Sequence, residues 1–338
     1  MLALSVMKRT FWRKLALIGL AALAFAFAGC GGQAAPTSMI VYASDHGRTH
    51  VTTSGTPRAS ATQRFRIASV TKTFTATIIF QLAADGKLRL DDTVERYLPG
   101  VVPGGQHITI RELLGHRSGL ANYTDYADWL ARAGRSRSIR PIDVLRFAAS
   151  QPRCFPPNGG WQYSNTNYIA LGLIIERVTR QSFAQEVEQR ILRPLGLRHT
   201  QLATSRTLDN LHDQGTNPNL PWAAGGIVSN APDLVRFFSA LLSGRILSRG
   251  SLAQMKQTDG ADVAPTELGT TLESSDGLGL FLTRLPCGPV WGHTGGIIGY
   301  GTIVDASQDG SRVAVISVRA GSYLQPPDIS TLLCPRPH

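Results

Sequence analysis

The sequence predicts an α+β fold that combines a sheet lobe with an all-helical lobe. Strand-like runs occur near both ends of the chain, and helical patterns fill the region between them. The sheet must then be completed by both chain ends, with the helices inserted between its early and late strands. Hydrophobic residues make up 43% of the 338 residues and charged residues 17%, a globular composition that allows a large core.

The first thirty residues have the pattern of an export signal. Four Lys or Arg residues precede an uninterrupted apolar or glycine run, Leu15–Ala28, which is short for a membrane span but typical of a secretory signal peptide. The residues before Cys30 resemble the bacterial lipobox, in which the cysteine is lipidated; cleavage after Ala28 with plain secretion is the alternative. We expect a lipoprotein-type signal peptide over 1–29, a tether over 30–37, and an extracytoplasmic protein anchored by lipid to the bacterial cell membrane.

The predicted mature protein is basic. Loss of the four cations before Cys30 lowers the formal net charge from +11 to +7. A basic protein outside the cytoplasm is attracted without specificity to an anionic cell envelope. No Lys/Arg-rich block or stacked aromatic series occurs, so we expect no nucleic-acid partner. The eight histidines include no His-Glu-x-x-His and no ligand-like cluster, so we expect no metal and no cofactor.

The strands of the sheet lobe come from the two ends of one domain, expected over 38–334. Two short early strands, Met39–Ala43 and Thr49–Thr53, are joined by a turn that ends in Gly47. Four strand-like runs occur late in the chain. They are Leu278–Leu282, Val290–Gly292, Gly299–Val304 and Val313–Val318.

The helical lobe is expected mostly within 90–275, and one further helix precedes it. That earlier helix runs from about Ala68 to Ala84, where Asp85-Gly86 ends it. Thr109 and Glu112 have the spacing of a capping box, which opens a short helix. Two longer apolar or amphipathic helices follow, Thr166–Val178 and Ala231–Leu242.

Ser69-Val70-Thr71-Lys72 opens the first long helix and is a candidate nucleophile and base. Residues three apart on a helix share a face, so the Ser69 hydroxyl and the Lys72 amine can meet. The free N–H groups at a helix N-terminus favour a developing anion. The motif is weak alone, since Ser5-Val6-Met7-Lys8 matches it too. However, only five of the 34 Lys and Arg residues are lysines, and a lysine offers the titratable amine that arginine lacks.

Two further motifs are candidates for the same site. Tyr163-Ser164-Asn165 precedes a helix, where it could serve merely as a turn with an N-cap, or could supply a phenol that carries protons and an amide that holds substrate. His293-Thr294-Gly295 follows a strand-like run, where a glycine kink in an edge strand is the simpler explanation. Each motif is weak by itself.

Together, the three motifs resemble the serine penicillin-binding protein and class C β-lactamase superfamily. Their types and order match the family pattern, and the resemblance covers nearly all of the chain from Phe65 onward. The chain is most similar to the exported actinomycete D-alanyl-D-alanine carboxypeptidases/transpeptidases, which also carry His in the third motif. The resemblance implies a β-lactamase/transpeptidase-like fold with an antiparallel sheet. Other matching segments are Leu113–Leu120, Pro194–Leu197, Ala224–Ile227 and Gly277–Leu280.

The resemblance also implies catalytic roles. Ser69 would attack a carbonyl and lose its proton through Lys72 and Tyr163. The N–H groups of Ser69 and Gly296 would form the oxyanion hole. A tyrosine with an ordinary pKa near 10 is a poor base at neutral pH, so a cationic neighbour, Lys72 or His293, must favour its anion.

Substrate contacts follow from the same resemblance. Asn165 would hold a side-chain amide of the substrate, and His293 with Thr294 would contact its carboxylate. The implied substrate is a peptidoglycan stem peptide or another small acyl compound, with β-lactams as inhibitors and a monomer as the acting form. The expected substrate-binding set is Asn165, Thr294, Gly295, Gly296 and Trp222.

The cysteines admit one disulfide. Export permits disulfides, and if Cys30 carries lipid, three cysteines remain, among which parity cannot choose a pair. The resemblance implies that Cys287 pairs with Cys334 and that Cys154 stays free.

The chain departs from the family pattern where a carboxylate would bind. The carboxypeptidases carry an Arg that grips the terminal D-alanine carboxylate, and this chain has Phe281 there. Arg284 lies three residues further on and would face another direction on a strand.

We expect a serine D-alanyl-D-alanine carboxypeptidase/transpeptidase-type acyl hydrolase, with an esterase or β-lactamase as second choice and a non-catalytic penicillin- or muropeptide-binding lipoprotein as third. An α/β-hydrolase is disfavoured, since no Gly-x-Ser-x-Gly elbow occurs.

The terminal helices of the family are reduced in this chain. The family usually places a helix before its first strand and a long helix after its last, and only Asp328–Leu333 could supply the latter. Because those helices cover one face of the sheet, we expect apolar surface to be exposed there unless another surface covers it.

Overall fold

The computed structural model describes residues 38–55, 58–136, 139–211, 217–258, 262–263, 274–319 and 329–334. These residues all fall in the compact unit Ala35–His338. The predicted signal peptide over 1–29, the lipidation residue Cys30 and the tether over 30–37 lie outside the described residues. No helix within the described ranges combines the length and the apolar character that crossing a membrane requires.

An antiparallel sheet of eight strands forms one side of the protein, in the order β2-β1-β11-β10-β9-β8-β7-β6, and a small second sheet has the order β3-β5-β4. The strands of the described residues are β1 (Ser38–Asp45), β2 (Arg48–Gly55), β3 (Phe65–Arg66), β4 (Gln201–Leu202), β5 (Ile227–Ser229), β6 (Asp262–Val263), β7 (Ser274–Asp276), β8 (Phe281–Leu285), β9 (Gly288–Ile297), β10 (Tyr300–Ser307) and β11 (Arg312–Arg319).

Both chain ends complete the large sheet, which confirms the fold class predicted from the sequence. The early strand β1 pairs along its whole length with the late strand β11, and it forms a hairpin with β2. His46 and Gly47 make the tight turn of this hairpin, with φ of +48° and +82°. The expected strand Leu278–Leu282 begins later, at Phe281, because a turn closed by the Gly277 N–H and the Leu280 carbonyl occupies its first residues.

Helices fill the middle of the chain, as predicted. The α-helices of the described residues are α1 (Thr71–Ala84), α2 (Val94–Tyr97), α3 (Ile110–Leu114), α4 (Ala127–Arg135), α5 (Pro141–Ala149), α6 (Asn165–Thr179), α7 (Phe183–Val187), α8 (Arg193–Leu195), α9 (Ser205–Asn210), α10 (Trp222–Gly225), α11 (Ala231–Leu242), α12 (Arg249–Met255) and α13 (Ser330–Leu333). Short 3-10 turns occur at Ala68–Val70, Gly105–His107 and Tyr123–Asp125, and a π-helical turn at Glu188–Leu192.

Local sequence explains where these helices begin. The predicted capping box is present, since the Thr109 hydroxyl accepts from the Glu112 N–H and the Glu112 carboxylate accepts from the Thr109 N–H. The predicted helix Ala231–Leu242 has those bounds, with Asn230 as its N-cap. This helix, α11, packs against β1, β10 and β11, so part of the expected helical lobe lies on the sheet.

Helix α1 runs through the centre of the protein and is buried around most of its circumference. This is expected of a helix that has no continuous polar face. Its buried threonines bond to neighbouring segments. The Thr73 hydroxyl donates to the Gly279 carbonyl at 2.9 Å, and the Thr75 hydroxyl donates to the Ala223 carbonyl at 2.7 Å. The helix that carries Lys72 is therefore fixed to both the sheet side and the helical side.

The outer face of the large sheet is covered by a short C-terminal segment. Ile329 and Leu333 join a buried apolar cluster with residues of β1, β8, β9, β10 and β11. A disulfide joins Cys287 to Cys334, while Cys154 is free and exposed. The bond closes a 47-residue separation, and such a closure stabilises the fold by roughly 4 kcal/mol in the chain-entropy description. Among the residues that the structure describes, this small cover buries part of the face that the shortened helices were expected to leave exposed, and the disulfide ties it to the sheet.

Candidate active site

Ser69 lies in a tight turn just ahead of helix α1. The turn is a 3-10 helix over Ala68–Val70, and α1 itself begins at Thr71. Ala68 has φ of +46°, a left-handed conformation that is costly for a residue with a Cβ. The sequence placed Ser69 within the long helix, whereas the structure places it on a strained bend that leaves the side chain partly exposed.

Lys72 is fully buried beneath Ser69 and has three hydrogen-bond acceptors. Its Nζ lies 3.0 Å from Ser69 Oγ, 2.7 Å from Asn165 Oδ1 and 2.8 Å from the Ala224 carbonyl oxygen. As an ammonium, the group donates one proton to each acceptor. As a neutral amine, it keeps the bonds to Asn165 and Ala224 and turns its lone pair to the Ser69 hydroxyl. The geometry thus suits transfer of a proton between Ser69 and Lys72.

The second motif reaches the same lysine. Asn165 begins helix α6, and the Tyr163 ring centroid lies 4.8 Å from Lys72 Nζ. Asn122 holds the Asn165 residue, because its Oδ1 accepts from the Asn165 backbone N–H at 3.0 Å and from Asn165 Nδ2 at 3.2 Å. The amide oxygen of Asn165 is consequently aimed at Lys72.

The third motif lies on strand β9, beside the Ser69 turn. Pairing of β9 with β8 ends at Gly292, so among the described residues 293–297 has a strand neighbour only on the β10 side. Gly295 packs against the turn so closely that a Cβ there would lie 2.3 Å from the Ile67 carbonyl oxygen and 3.0 Å from the Ser69 nitrogen. Glycine at 295 therefore lets the strand approach the backbone of Ser69.

His293 is buried and uncharged. Its Nδ1 lies 2.5 Å from the Thr294 carbonyl oxygen, which can only accept, so Nδ1 carries the proton. Burial, and then the positive charge of Lys72, lower the pKa of His293 to about 3. His293 is therefore neutral at physiological pH, so Lys72 in its protonated form is the remaining candidate for the cation that favours the Tyr163 anion.

Phe281 occupies the position where the resembling carboxypeptidases carry an arginine. Its side chain is buried, and its ring centroid lies 4.3 Å from that of His293 and 6.5 Å from that of Tyr163. Arg284 is exposed further along β8, opposite Pro289. The floor beside His293 is thus apolar, and Arg284 faces away from it, as the strand alternation predicts.

Trp222 is not brought to this group. Its side chain is buried, with its ring 5.2 Å from that of Phe183 and in tight contact with Gly172 of α6. The predicted substrate contact by Trp222 does not fit this buried position. The neighbouring residue Ala224 contributes instead, through the carbonyl that accepts from Lys72.

Sequence reasoning missed two residues that hold the site. Asn122 bonds Asn165, and His116 bonds the Ser164 N–H through its Nδ1 at 3.1 Å. The resemblance of Leu113–Leu120 to the family marks this segment in the sequence, but it assigns no role to His116. Within the described ranges, no three His, Cys, Asp or Glu side chains converge as a metal site requires.

Comparison with protein-family models matches residues 26–324 to the Beta-lactamase family. Among curated proteins, the chain is 30% identical over 270 residues to Penicillin-binding protein 4* of Bacillus subtilis (strain 168). That alignment covers 71% of this chain and 57% of the relative, and alignments with other curated relatives cover as little as 29% of their length. The chain therefore spans little more than half of the length of one of these relatives and less than a third of the length of another.

Two solved structures match over nearly their whole length. A D-stereospecific amidohydrolase from Streptomyces sp. is 33% identical with a TM-score of 0.78, and the match covers 89% of this chain and 95% of that one. A D-amino acid amidase from Ochrobactrum anthropi SV3 is 26% identical with a TM-score of 0.75, covering 86% and 90%.

Proposed function

The chain belongs to the Beta-lactamase family, and from this premise we propose that it is a serine hydrolase that cleaves amide bonds after a D-residue through an acyl-enzyme on Ser69. The observation that carries the proposal is the contact of Lys72 Nζ with Ser69 Oγ at 3.0 Å, made while the same amine is held by Asn165 and Ala224. A buried amine that is fixed on two sides and faces a hydroxyl on the third is arranged to receive that hydroxyl's proton.

The reaction has two stages in this proposal. Ser69 Oγ attacks the substrate carbonyl and forms an ester, while its proton passes to neutral Lys72. Tyr163, beside Lys72, relays a proton to the departing amine as the C–N bond breaks. Water then attacks the ester carbon and gives up a proton to the same groups. The products are a carboxylic acid and a free amine, and Ser69 regains its hydroxyl.

The oxyanion of each stage is held by backbone N–H groups. Ser69 N and Gly296 N are the proposed donors, on the turn and on strand β9 respectively. The approach of Gly295 to the Ile67 carbonyl and to the Ser69 nitrogen brings the two elements together and supports this assignment. The substrate would lie along 293–297, whose pairing with β8 has ended at Gly292.

Phe281 bears on which leaving group the substrate carries. An apolar side chain against His293 gives no cation for a carboxylate, so a neutral leaving group is favoured. The similarity to a D-stereospecific amidohydrolase and to a D-amino acid amidase supports a D-residue on the acyl side. D-alanyl-D-alanine carboxypeptidase activity is the second candidate, favoured by the His293-Thr294-Gly295 motif and the similarity to a penicillin-binding protein.

A substrate panel tests the proposal. The mature protein and Ser69→Ala are compared on a D-phenylalanine anilide, its L-enantiomer, an acylated D-Ala-D-Ala peptide and a simple ester. We expect Ser69-dependent cleavage of the D-anilide above the L-anilide and above the peptide. Preferential release of D-alanine would establish the second candidate, and ester cleavage alone would support an esterase.

Labelled penicillin tests the acyl-enzyme directly. We expect a covalent adduct on the peptide that contains Ser69, found by mass spectrometry and missing from Ser69→Ala. No adduct and no turnover, under conditions that label a control penicillin-binding protein, would reject the hydrolase and leave a binding module.

We also propose that the enzyme acts outside the cytoplasm, anchored by lipid at Cys30. The basic-then-apolar start of the chain and the small residues before Cys30 support this placement, as does the Cys287–Cys334 disulfide. In the producing bacterium, Cys30→Ser is expected to move the protein from the membrane fraction to the medium. Retention of the variant in the membrane would contradict lipidation at Cys30.

A further inference from the structure

Tyr163 and Asn165 flank a backbone amide that is held by another segment of the chain. The N–H of buried Ser164 donates to Nδ1 of His116 at 3.1 Å. Nδ2 of Asn167, the third residue of α6, lies 3.2 Å from the same Nδ1 of His116. His116 is itself buried, so water cannot replace it as the partner of the Ser164 amide.

The partner of His116 fixes its protonation. A backbone N–H can only donate, so Nδ1 must offer a lone pair and the ring proton must be on Nε2. Burial, and then the positive charge of Lys72, hold the pKa of His116 well below its usual value, which agrees with a neutral ring. A second ring proton would put two N–H groups face to face and break the contact with Ser164.

The imidazole also contacts the proposed proton carrier. Its ring centroid lies 4.5 Å from that of Tyr163, with an angle of 35° between the planes. The His116 carbonyl accepts from the Gln162 N–H at 3.1 Å. His116 therefore touches the chain before Tyr163, the ring of Tyr163 and the amide after it.

The segment around His116 is anchored, so it can act as a support. The Arg117 carbonyl accepts from the Asn158 N–H at 2.9 Å, and the Gly119 carbonyl accepts from the Cys154 N–H at 3.0 Å. The Ser118 hydroxyl donates to Asn167 Oδ1 at 2.5 Å. His116 has φ of +56°, a left-handed conformation in which the ring is turned toward Tyr163.

We infer that His116 is a positioning residue for acylation: its unprotonated Nδ1 fixes the Ser164 amide and thereby sets Tyr163 and Asn165 around Lys72. The inference rests on the proposed function, because it assigns His116 to the acylation step. It requires a hydrogen-bond acceptor at this place and requires no basic group.

Two substitutions of His116 distinguish the role of its hydrogen-bond acceptor from that of its imidazole ring. In His116→Asn, Oδ1 replaces Nδ1 as acceptor, and asparagine tolerates positive φ. In His116→Leu, the volume is kept and the acceptor is lost. We expect the maximal rate of penicillin acylation to fall about 100-fold in His116→Leu, the loss typical of a misplaced catalytic group, and to stay within about tenfold of wild type in His116→Asn.

A stability-matched control removes the alternative that His116 only supports the fold. Val315→Ala shortens a fully buried side chain on β11, away from the loop, and is expected to keep the wild-type acylation rate at a similar loss of unfolding temperature. The inference is overturned if His116→Leu keeps the rate, if His116→Asn falls as far as His116→Leu, or if Val315→Ala falls with them.

A spectroscopic measurement tests His116 without relying on activity. In protein labelled with ¹⁵N-histidine, the His116 resonances are assigned by their loss in His116→Asn. We expect a neutral ring with its proton on Nε2 between pH 6 and pH 8. A proton on Nδ1 in this range overturns the inference. If penicillin fails to label the wild type, the proposed function fails, and this measurement still decides whether His116 holds the Ser164 amide.

Discussion

Lys72 is arranged so that it can lose or gain a proton without moving. Lys72 donates hydrogen bonds to Asn165 Oδ1 and to the Ala224 carbonyl oxygen whether it is an ammonium or a neutral amine. Only the contact with Ser69 Oγ reverses direction, from donor to acceptor. A group whose surroundings need not reorganise lowers the barrier to proton transfer, so the buried position of this lysine favours its use as a base.

Replacement of Lys72 tests this role at the level of one residue. In Lys72→Arg, the guanidinium stays protonated, so it cannot accept the hydroxyl proton. We expect penicillin acylation to fall below detection, measured by mass spectrometry of the intact protein. Lys87→Arg, at an exposed position, is the matched control and should acylate like the wild type. Acylation of Lys72→Arg at an appreciable rate would rule out Lys72 as the base.

Replacement of Phe281 tests leaving-group selection. An arginine here would place a cation beside His293, where a substrate carboxylate could bind it. A hydrogen bond to a charged group contributes about 1.5–3 kcal/mol, so Phe281→Arg should raise kcat/KM for the acylated D-Ala-D-Ala peptide, relative to the D-anilide, by at least about tenfold. Phe281→Leu should leave this ratio unchanged. An unchanged ratio in a folded Phe281→Arg, checked by circular dichroism, would show that position 281 does not contact the leaving group.

At the scale of elements, the sequence predicted the residues of the candidate site. It did not predict the backbone conformation at Ser69 or the charge state of His293. The spacings of the Ser69, Tyr163 and His293 motifs predict three stretches that the structure brings around one amine. The 3-10 turn at Ser69 has no sequence signal, since it depends on the left-handed Ala68 and on the strand behind it. The neutral state of His293 could not be predicted either, because it depends on burial by Phe281 and on the nearby Lys72.

The contact between strand β9 and the Ser69 turn gives a prediction about two elements. Because a Cβ at Gly295 would meet the Ile67 carbonyl at 2.3 Å, Gly295→Ala must push the strand away from the turn. Displacement by about 1 Å should lower the acylation rate on the order of 100-fold, measured with labelled penicillin under conditions where the variant is folded. Gly134→Ala is the control, since its nearest neighbour, Leu220 Cδ1, lies at an acceptable 3.8 Å. Equal rates for the two variants would contradict the close contact.

At the scale of the whole molecule, alternating and helical patterns predicted an α+β fold with a sheet completed by both chain ends. The pairing of β1 with β11 along the whole length of both strands confirms this. The cover of the outer face could not be predicted from the helix pattern. It depends on Ile329 and Leu333, at the start and end of a four-residue helix that would be unstable alone and is tied down by the disulfide at Cys334.

One buried carboxyl on the sheet contributes to the pH dependence of stability. Burial raises the pKa of Asp305 on β10 to about 7, so between pH 3.8 and pH 7 the folded protein binds a proton that the unfolded chain has released. The contribution of Asp305 to the free energy of unfolding must then fall as the pH rises through this range, by up to about 1.4 kcal/mol per pH unit, and level off above pH 7. His293 acts in the opposite direction, because its folded pKa of about 3 makes the unfolded chain the stronger proton binder below pH 6.5.

Asp305→Asn isolates the carboxyl, since the histidines contribute equally to variant and wild type. In denaturant titrations, the free energy of unfolding of the variant relative to the wild type should rise progressively from pH 4 to pH 7, by roughly 4 kcal/mol in all. Above pH 7 the difference should stay constant. Asp309→Asn is the control on the same hairpin: hydrogen bonds from Ser307 and Ser311 lower the pKa of Asp309, so its difference from wild type should stay flat above pH 5. A flat difference for Asp305→Asn would mean that this carboxylate is ionised in the folded protein throughout, and that the sheet satisfies its charge.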